Sequence, residues 1–144
     1  SKISNKDFTK YYENKKFDLI IIDAPCSAVG TIRRNPEIFF KKKGPDFEQL
    51  HSLQINMLDK ASELLNDNGL ILYMVCSFLI NETKDQIYKF LLRKSEFEVY
   101  NFKLINNNIE YLKLIKNSYM STLPNLIHRH KIDGYFAAYI KKIR

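Results

Sequence analysis

The apolar residues of this chain fall into two kinds of run, whose order predicts alternating strands and helices. Residues 1–16 are polar and predict a helix or loop ending in Lys15-Lys16. Phe17-Asp18-Leu19-Ile20-Ile21-Ile22 is nearly continuous in apolar character, as in a strand buried on both faces of a parallel sheet. It stops at Asp23-Ala24-Pro25, where proline cannot continue a central ladder. Residues 26–45 then form a long, polar and basic loop, and long ordered loops usually carry function. Gly44-Pro45-Asp46 opens a helix, with Leu50, Leu53, Met57, Leu58, Ala61, Leu64 and Leu65 along one face and Asn68-Gly69 as a left-handed stop. Leu70 to Val75 reads as a second buried strand, and Glu82 to about Arg93 as a second helix with Ile87, Phe90 and Leu91 inward. Phe97 to Phe102 reads as a third strand and Gly134 to Ile140 as an aromatic-rich last one. Between them, Ile109 to Ile115 fits an extra strand or a short helix.

Strand–helix–strand–helix–strand, an excursion and a final strand make an α/β layered fold. Right-handed crossovers place the first two strands parallel and side by side, with their carboxyl ends on one rim of the sheet. Open α/β sheets bind ligands on that rim. Cys26 and Cys76, each just past one of these strands, are therefore expected to meet there. They are the only cysteines in the chain.

Composition narrows the possibilities. With 144 residues, 45% of them hydrophobic, the chain fits one domain with a core. No run approaches the roughly 18–20 apolar residues of a membrane helix, and two cysteines do not make a disulfide framework. A cytoplasmic protein is expected, or one of an organelle matrix, without a membrane partner. The balance of 23 basic to 16 acidic residues favours a polyanionic partner, nucleic acid first. Arg33-Arg34 and Lys41-Lys42-Lys43, just downstream of Cys26, suit phosphate contact, although a solvated charged surface would read the same way. His128 and His130 have a metal-like spacing but no Cys or His partners, so no metal is expected. None of the four glycines belongs to a GxGxxG loop.

Asp23-Ala24-Pro25-Cys26-Ser27-Ala28-Val29-Gly30-Thr31-Ile32-Arg33-Arg34-Asn35-Pro36 resembles the DAPCSGxGxxRRxP signature of RNA 5-cytosine methyltransferases of the Sun, or RsmB-like, family. Tyr73-Met74-Val75-Cys76-Ser77 with Asn81-Glu82 resembles that family's Y-x-T-C-S…N-E motif, and Asp133-Gly134-Tyr135-Phe136-Ala137-Ala138 its D-G-F-F-x-A strand. Two positions depart from the pattern: Ala28 stands where the family has glycine, and Val75 where it has threonine.

The resemblance implies a Rossmann-like S-adenosylmethionine-dependent methyltransferase fold, of which this chain is the C-terminal half of the sheet, the cofactor loop lying upstream. It implies methylation of carbon 5 of cytosine in RNA, 16S ribosomal RNA in bacterial members, with S-adenosyl-L-methionine as cofactor. It makes Cys76 the nucleophile and Cys26 the thiol that assists product release. Asp23 would contact the cofactor or the cytosine ring, while Pro25, Arg33 and Arg34 would face the RNA. Two other readings stand beside this one: a non-catalytic RNA-binding or scaffold protein with the same fold, and a DNA cytosine methyltransferase, whose nucleophile is the earlier cysteine. Without the upstream half, the chain alone is expected to be inactive. The edge of its first strand would be unpaired and open to self-association.

Overall fold

The computed structural model describes residues 7–8, 15–40, 44–101, 115–116, 118–123 and 132–143. In chain order the elements are β1 (Phe17–Asp23), α1 (Phe47–Leu64), β2 (Leu65–Val75), α2 (Lys84–Arg93), β3 (Phe97–Tyr100), β4 (Ile115–Lys116), β5 (Tyr119–Thr122) and β6 (Tyr135–Lys142). Short 3₁₀ turns at Val29–Thr31, Pro36–Phe40 and Ile80–Glu82 punctuate the loops. Lys41-Lys42-Lys43, His128, His130 and most of the 103–132 excursion lie outside the described residues.

The strands form one sheet in the order β1-β2-β6-β5-β4. As expected, β1 and β2 are adjacent and parallel, in a register that sets Ile22 beside Tyr73 and Asp23 beside Met74. β6 runs antiparallel to β2, pairing Val75 with Phe136. Its other edge is shared: β5 takes Tyr135 to Ala138, and β3 takes Tyr139 to Lys142.

Helix α1 starts where the sequence predicts, with the Asp46 carboxylate accepting from the Gln49 N–H at 3.0 Å as an N-cap. Its end differs in detail. Leu65 already pairs with Phe17, ahead of a register shift before Leu19 meets Leu70, and Asn68 in that irregular stretch takes the left-handed conformation with φ 62°. The second helix also begins later than its apolar pattern implies. Glu82 closes a 3₁₀ turn and is fully buried, with the α-helix starting at Lys84.

One face of the sheet carries the core. Ile20, Ile22, Ile71, Tyr73, Val75, Ala138 and Ile140 pack with Leu58, Ala61 and Leu64 of α1 and with Ile87 and Phe90 of α2. The expectation that β1 is buried on both faces does not hold in this chain: Leu19 and Ile21 are half exposed. The reason is geometric. Alternate strand residues face opposite ways, and among the described elements α1 and α2 cover the face that carries Ile20 and Ile22, not the one that carries Leu19 and Ile21.

Candidate active site

The site forms where β1 and β2 leave the sheet together. Past Asp23 the ladder gains one more bond, from the Ala24 N–H to the Met74 carbonyl at 2.9 Å, and Pro25 then ends it. Two strands in parallel register that stop at the same level must deliver the residues after them to the same place. Cys26 Sγ and Cys76 Sγ lie 3.3 Å apart, both thiols free and half-buried. The juxtaposition expected from topology is therefore present.

The loop after Cys26 is folded by its backbone. Ala28 sits in the left-handed region at φ 60°, ψ 18°, which explains why the resembling family places glycine there. The Gly30 N–H bonds the Cys76 carbonyl at 3.0 Å, and the Gly134 N–H bonds the Gly30 carbonyl at 2.7 Å. Gly30 thus joins the three motifs found in the sequence. Val75, the other departure from the family pattern, is fully buried in the apolar core.

Beneath the cysteines lies Glu82, with no exposed surface. Its Oε1 accepts from the Ser27 N–H at 2.7 Å, and its Oε2 accepts from both the Ser27 and Ser77 hydroxyls at 2.6 Å. Buried Gln54 of α1 donates to the Pro25 carbonyl at 2.9 Å and to Glu82 Oε1 at 3.5 Å. In the sequence Glu82 stood out only as part of a motif match.

Arg33 and Arg34 both engage Asp133. The Arg34 Nε donates to Asp133 Oδ2 at 2.6 Å, and an Arg33 guanidinium N–H reaches Oδ1 at 3.4 Å. The Asp133 carboxyl group is held below the usual carboxylate range, chiefly by the Arg34 hydrogen bond. The arginines thereby tie the Cys26 loop to the start of β6, while 53% of the Arg34 side chain stays exposed. Asp23 and Pro25 are exposed at the rim.

Burial pushes the Cys26 thiol from an ordinary 9.0 up to about 12; its hydrogen bond and charge interaction with Cys76 add to the rise, and a backbone hydrogen bond at Ala28 opposes it. Between about pH 9 and about pH 12 the folded chain therefore keeps a proton that the unfolded chain has lost. The stability linked to that proton is intact below pH 9 and declines as pH rises through the window. Alkaline unfolding midpoints of the parent and of Cys26→Ala should accordingly diverge above pH 9, the parent falling more steeply. Parallel curves would show that Cys26 does not hold its proton in this way.

Two clefts flank the pair. One, of about 500 Å³, is lined by Cys26, Thr31, Asn35, Ile38, Asp46 and Leu50 among others. The other, of about 250 Å³, has Ser77, Phe78, Lys84, Leu123, Tyr135 and Phe136 in its walls. Phe78 and Tyr135 are exposed at it, aromatic faces that periodicity alone could not single out. Among the described residues no group of three or more His, Cys, Asp or Glu side chains could hold a metal, and no helix is long and apolar enough to cross a membrane.

A parallel pair of strands followed by an antiparallel one, helices on the core face and ligand-side loops at the strand ends define a Rossmann-like methyltransferase fold. A family model described as 16S rRNA methyltransferase RsmB/F matches residues 1–141, and the chain belongs to that family. Ribosomal RNA small subunit methyltransferase B of Shewanella oneidensis is 43% identical over 86 residues, 60% of this chain and 20% of that protein. The probable ribosomal RNA small subunit methyltransferase B of Bacillus subtilis is 30% identical over 132 residues, 91% of this chain and 29% of its own length. Among solved structures, PH0851 superposes with a TM-score of 0.71 at 30% identity, over 87% of this chain and 26% of that one. NSun6 from Pyrococcus horikoshii, solved with SFG, gives a TM-score of 0.75 at 23% identity, over 99% of this chain and 35% of its own, a likeness of fold. The chain thus spans less than a third of the length of these curated relatives.

Proposed function

We propose that the protein methylates carbon 5 of a cytosine in RNA, with 16S ribosomal RNA as the candidate, through a covalent adduct at Cys76. The observation that carries this reading is the pair of thiols 3.3 Å apart at one sheet rim, in a member of the RsmB/F family. Carbon 5 of cytosine is a weak nucleophile. When the Cys76 sulfur bonds to carbon 6, the electrons of the carbon 5–carbon 6 double bond become available at carbon 5, which can then take an electrophilic methyl group. The carbon-5 proton must next leave as the carbon–sulfur bond breaks, and Cys26 is assigned to assist that release, a role its 3.3 Å separation from Cys76 supports. Two thiolates at 3.3 Å would repel each other, so the two cysteines are given different roles.

S-adenosyl-L-methionine would supply the methyl group. The exposed Asp23 carboxylate at the end of β1 suits a cationic ligand and is assigned to it or to the cytosine ring. Pro25, exposed beside Cys26, shapes the rim that faces the base. Arg33 and Arg34 line the approach for the RNA backbone, their charge partly offset by Asp133. Carbon 6 is shielded in a stacked helix, so the target nucleotide must be unpaired or extruded, and Phe78 and Tyr135 offer faces on which a base can stack. A ribosomal substrate suits a cytoplasmic location, or an organelle matrix.

The chain is assigned to the C-terminal part of a single catalytic domain. Leu19 and Ile21 lie on the sheet face away from the core, where further cover would contribute about 1 kcal/mol each, and no described strand pairs the outer edge of β1, which suits further elements of the same domain. Self-association through that edge finds no support among the relatives.

The test uses the full-length protein, S-adenosylmethionine and ribosomal RNA carrying 5-fluorocytosine. Fluorine blocks the final proton loss, so a protein–RNA adduct that survives denaturing gels is expected. An adduct that persists when Cys76 is replaced but is lost with Cys26 would reverse the cysteine roles and favour the DNA-enzyme pattern. No adduct despite firm RNA binding would favour a scaffold.

A further inference from the structure

Glu82 is a buried carboxylate whose partners among the described residues are neutral donors, Ser27, Gln54 and Ser77. Placing a carboxylate out of water is costly unless hydrogen bonds satisfy it, and here the donors come mainly from two residues. Ser27 directly follows Cys26 and Ser77 directly follows Cys76. One oxygen, Oε2, takes both hydroxyls at 2.6 Å, while Oε1 takes the Ser27 N–H. Hydrogen bonds to an ionised acceptor are short and strong, and more so away from water. From Cys26 through Ser27, Glu82 and Ser77 to Cys76 the connections form a closed ring, completed by the two sulfurs at 3.3 Å.

The mount is itself anchored. The Tyr73 hydroxyl donates to the Glu82 carbonyl at 2.8 Å, and Gln54 ties Oε1 to the Pro25 carbonyl. Thr83, next in sequence, donates from its hydroxyl to the Leu79 carbonyl at 2.9 Å. The carboxylate therefore sits on a turn fixed to β2 and α1, and the two cysteine loops are fixed to the carboxylate.

We propose that Glu82 is the positioning residue of the cysteine pair, its carboxylate setting the separation of Cys26 and Cys76 by holding the serine that follows each. The proposal rests on the methylation reading for its catalytic consequence, but the positioning itself is measurable without RNA or cofactor. In Glu82→Gln the remaining oxygen can keep the Ser27 N–H, while both hydroxyls must turn to accept from the new amino group. Ser77 Oγ already accepts from the Leu79 N–H at 3.1 Å, so it is the strained partner.

The experiment uses the full-length protein and two readouts. The first is the rate at which diamide closes the Cys26–Cys76 disulfide. The two thiols give up two electrons and two protons, which reduce the diazene to a hydrazine. This rate is set against the alkylation of each cysteine by iodoacetamide, at a temperature where every variant is folded. The second is methyl transfer to RNA, resolved into kcat and KM. Glu82→Gln is expected to slow disulfide closure about tenfold and to lower kcat by a similar factor, with KM and the alkylation rates little changed.

Closure as fast as in the parent would overturn the proposal. So would slower closure that tracks faster alkylation of both cysteines, because that is loosening of the whole site. If Glu82→Gln does not fold, Ser77→Ala and Ser27→Ala, which each delete one hydroxyl, carry the same test. Both must slow closure, and unaltered closure in either would overturn it. Slower closure in a protein whose parent forms no adduct with RNA would uphold the positioning role and overturn the methylation reading.

Discussion

Cys76→Ser is expected to abolish methyl transfer, whereas Cys26→Ser is expected to leave RNA covalently attached to the protein. The two thiols are nearly equivalent in sequence, each following a buried strand and preceding a serine, so opposite outcomes would be informative. Serine at 76 keeps the size of the side chain but replaces the sulfur nucleophile with a poor one. Loss of an attacking group costs on the order of 10⁴-fold or more in rate. Cys26 is different. Burial raises its pKa, and in the proposed mechanism its place 3.3 Å from Cys76 serves the later steps. Without it, attack and methyl transfer can proceed while breakdown of the adduct stalls. With ordinary cytosine RNA and S-adenosylmethionine, denaturing gels of Cys26→Ser should show a shifted protein band that the parent and Cys76→Ser lack. A shifted band in Cys76→Ser alone would exchange the two roles, and a band in neither would remove the covalent mechanism.

That this pair could be found from sequence follows from the physics of parallel strands. Phe17–Ile22 and Leu70–Val75 are apolar enough to be recognised, and any two adjacent parallel strands deliver their next residues to one rim. The Asp46 cap was legible for a similar reason, since its hydrogen bond is local. What sequence could not show depends on contacts between distant segments. Glu82 reads as the first residue of an amphipathic helix, and only the meeting of Ser27 and Ser77 above it reveals a buried carboxylate. Arg33 and Arg34 read as free phosphate binders until Asp133, about a hundred positions on, is seen to hold them. The exposure of Leu19 and Ile21 was likewise hidden, because a hydrophobic run states what a strand is suited to bury and not which neighbours are present.

Gly30→Ala is expected to lower stability by roughly 3 kcal/mol or more, far beyond the usual effect of adding a methyl group on a loop. A Cβ built at Gly30 would lie 1.9 Å from the Gly134 carbonyl oxygen and 2.9 Å from the Cys76 carbonyl oxygen. Both are backbone atoms, so no side-chain rotation can relieve the overlap. The chain would have to separate the Cys26 loop from β6 and give up the bonds from Gly30 N–H to Cys76 and from Gly134 N–H to Gly30. Gly44 is the control, since nothing lies within 4 Å of a Cβ added there. Denaturant midpoints should place Gly44→Ala beside the parent and Gly30→Ala well below it. Equal midpoints for the two variants would mean that the close approach of these three backbone segments does not hold the cysteine loop. If Gly30→Ala folds at low temperature, slower disulfide closure between Cys26 and Cys76 would follow from the same cause, because the Cys76 carbonyl would have lost the partner that fixes its loop against the other.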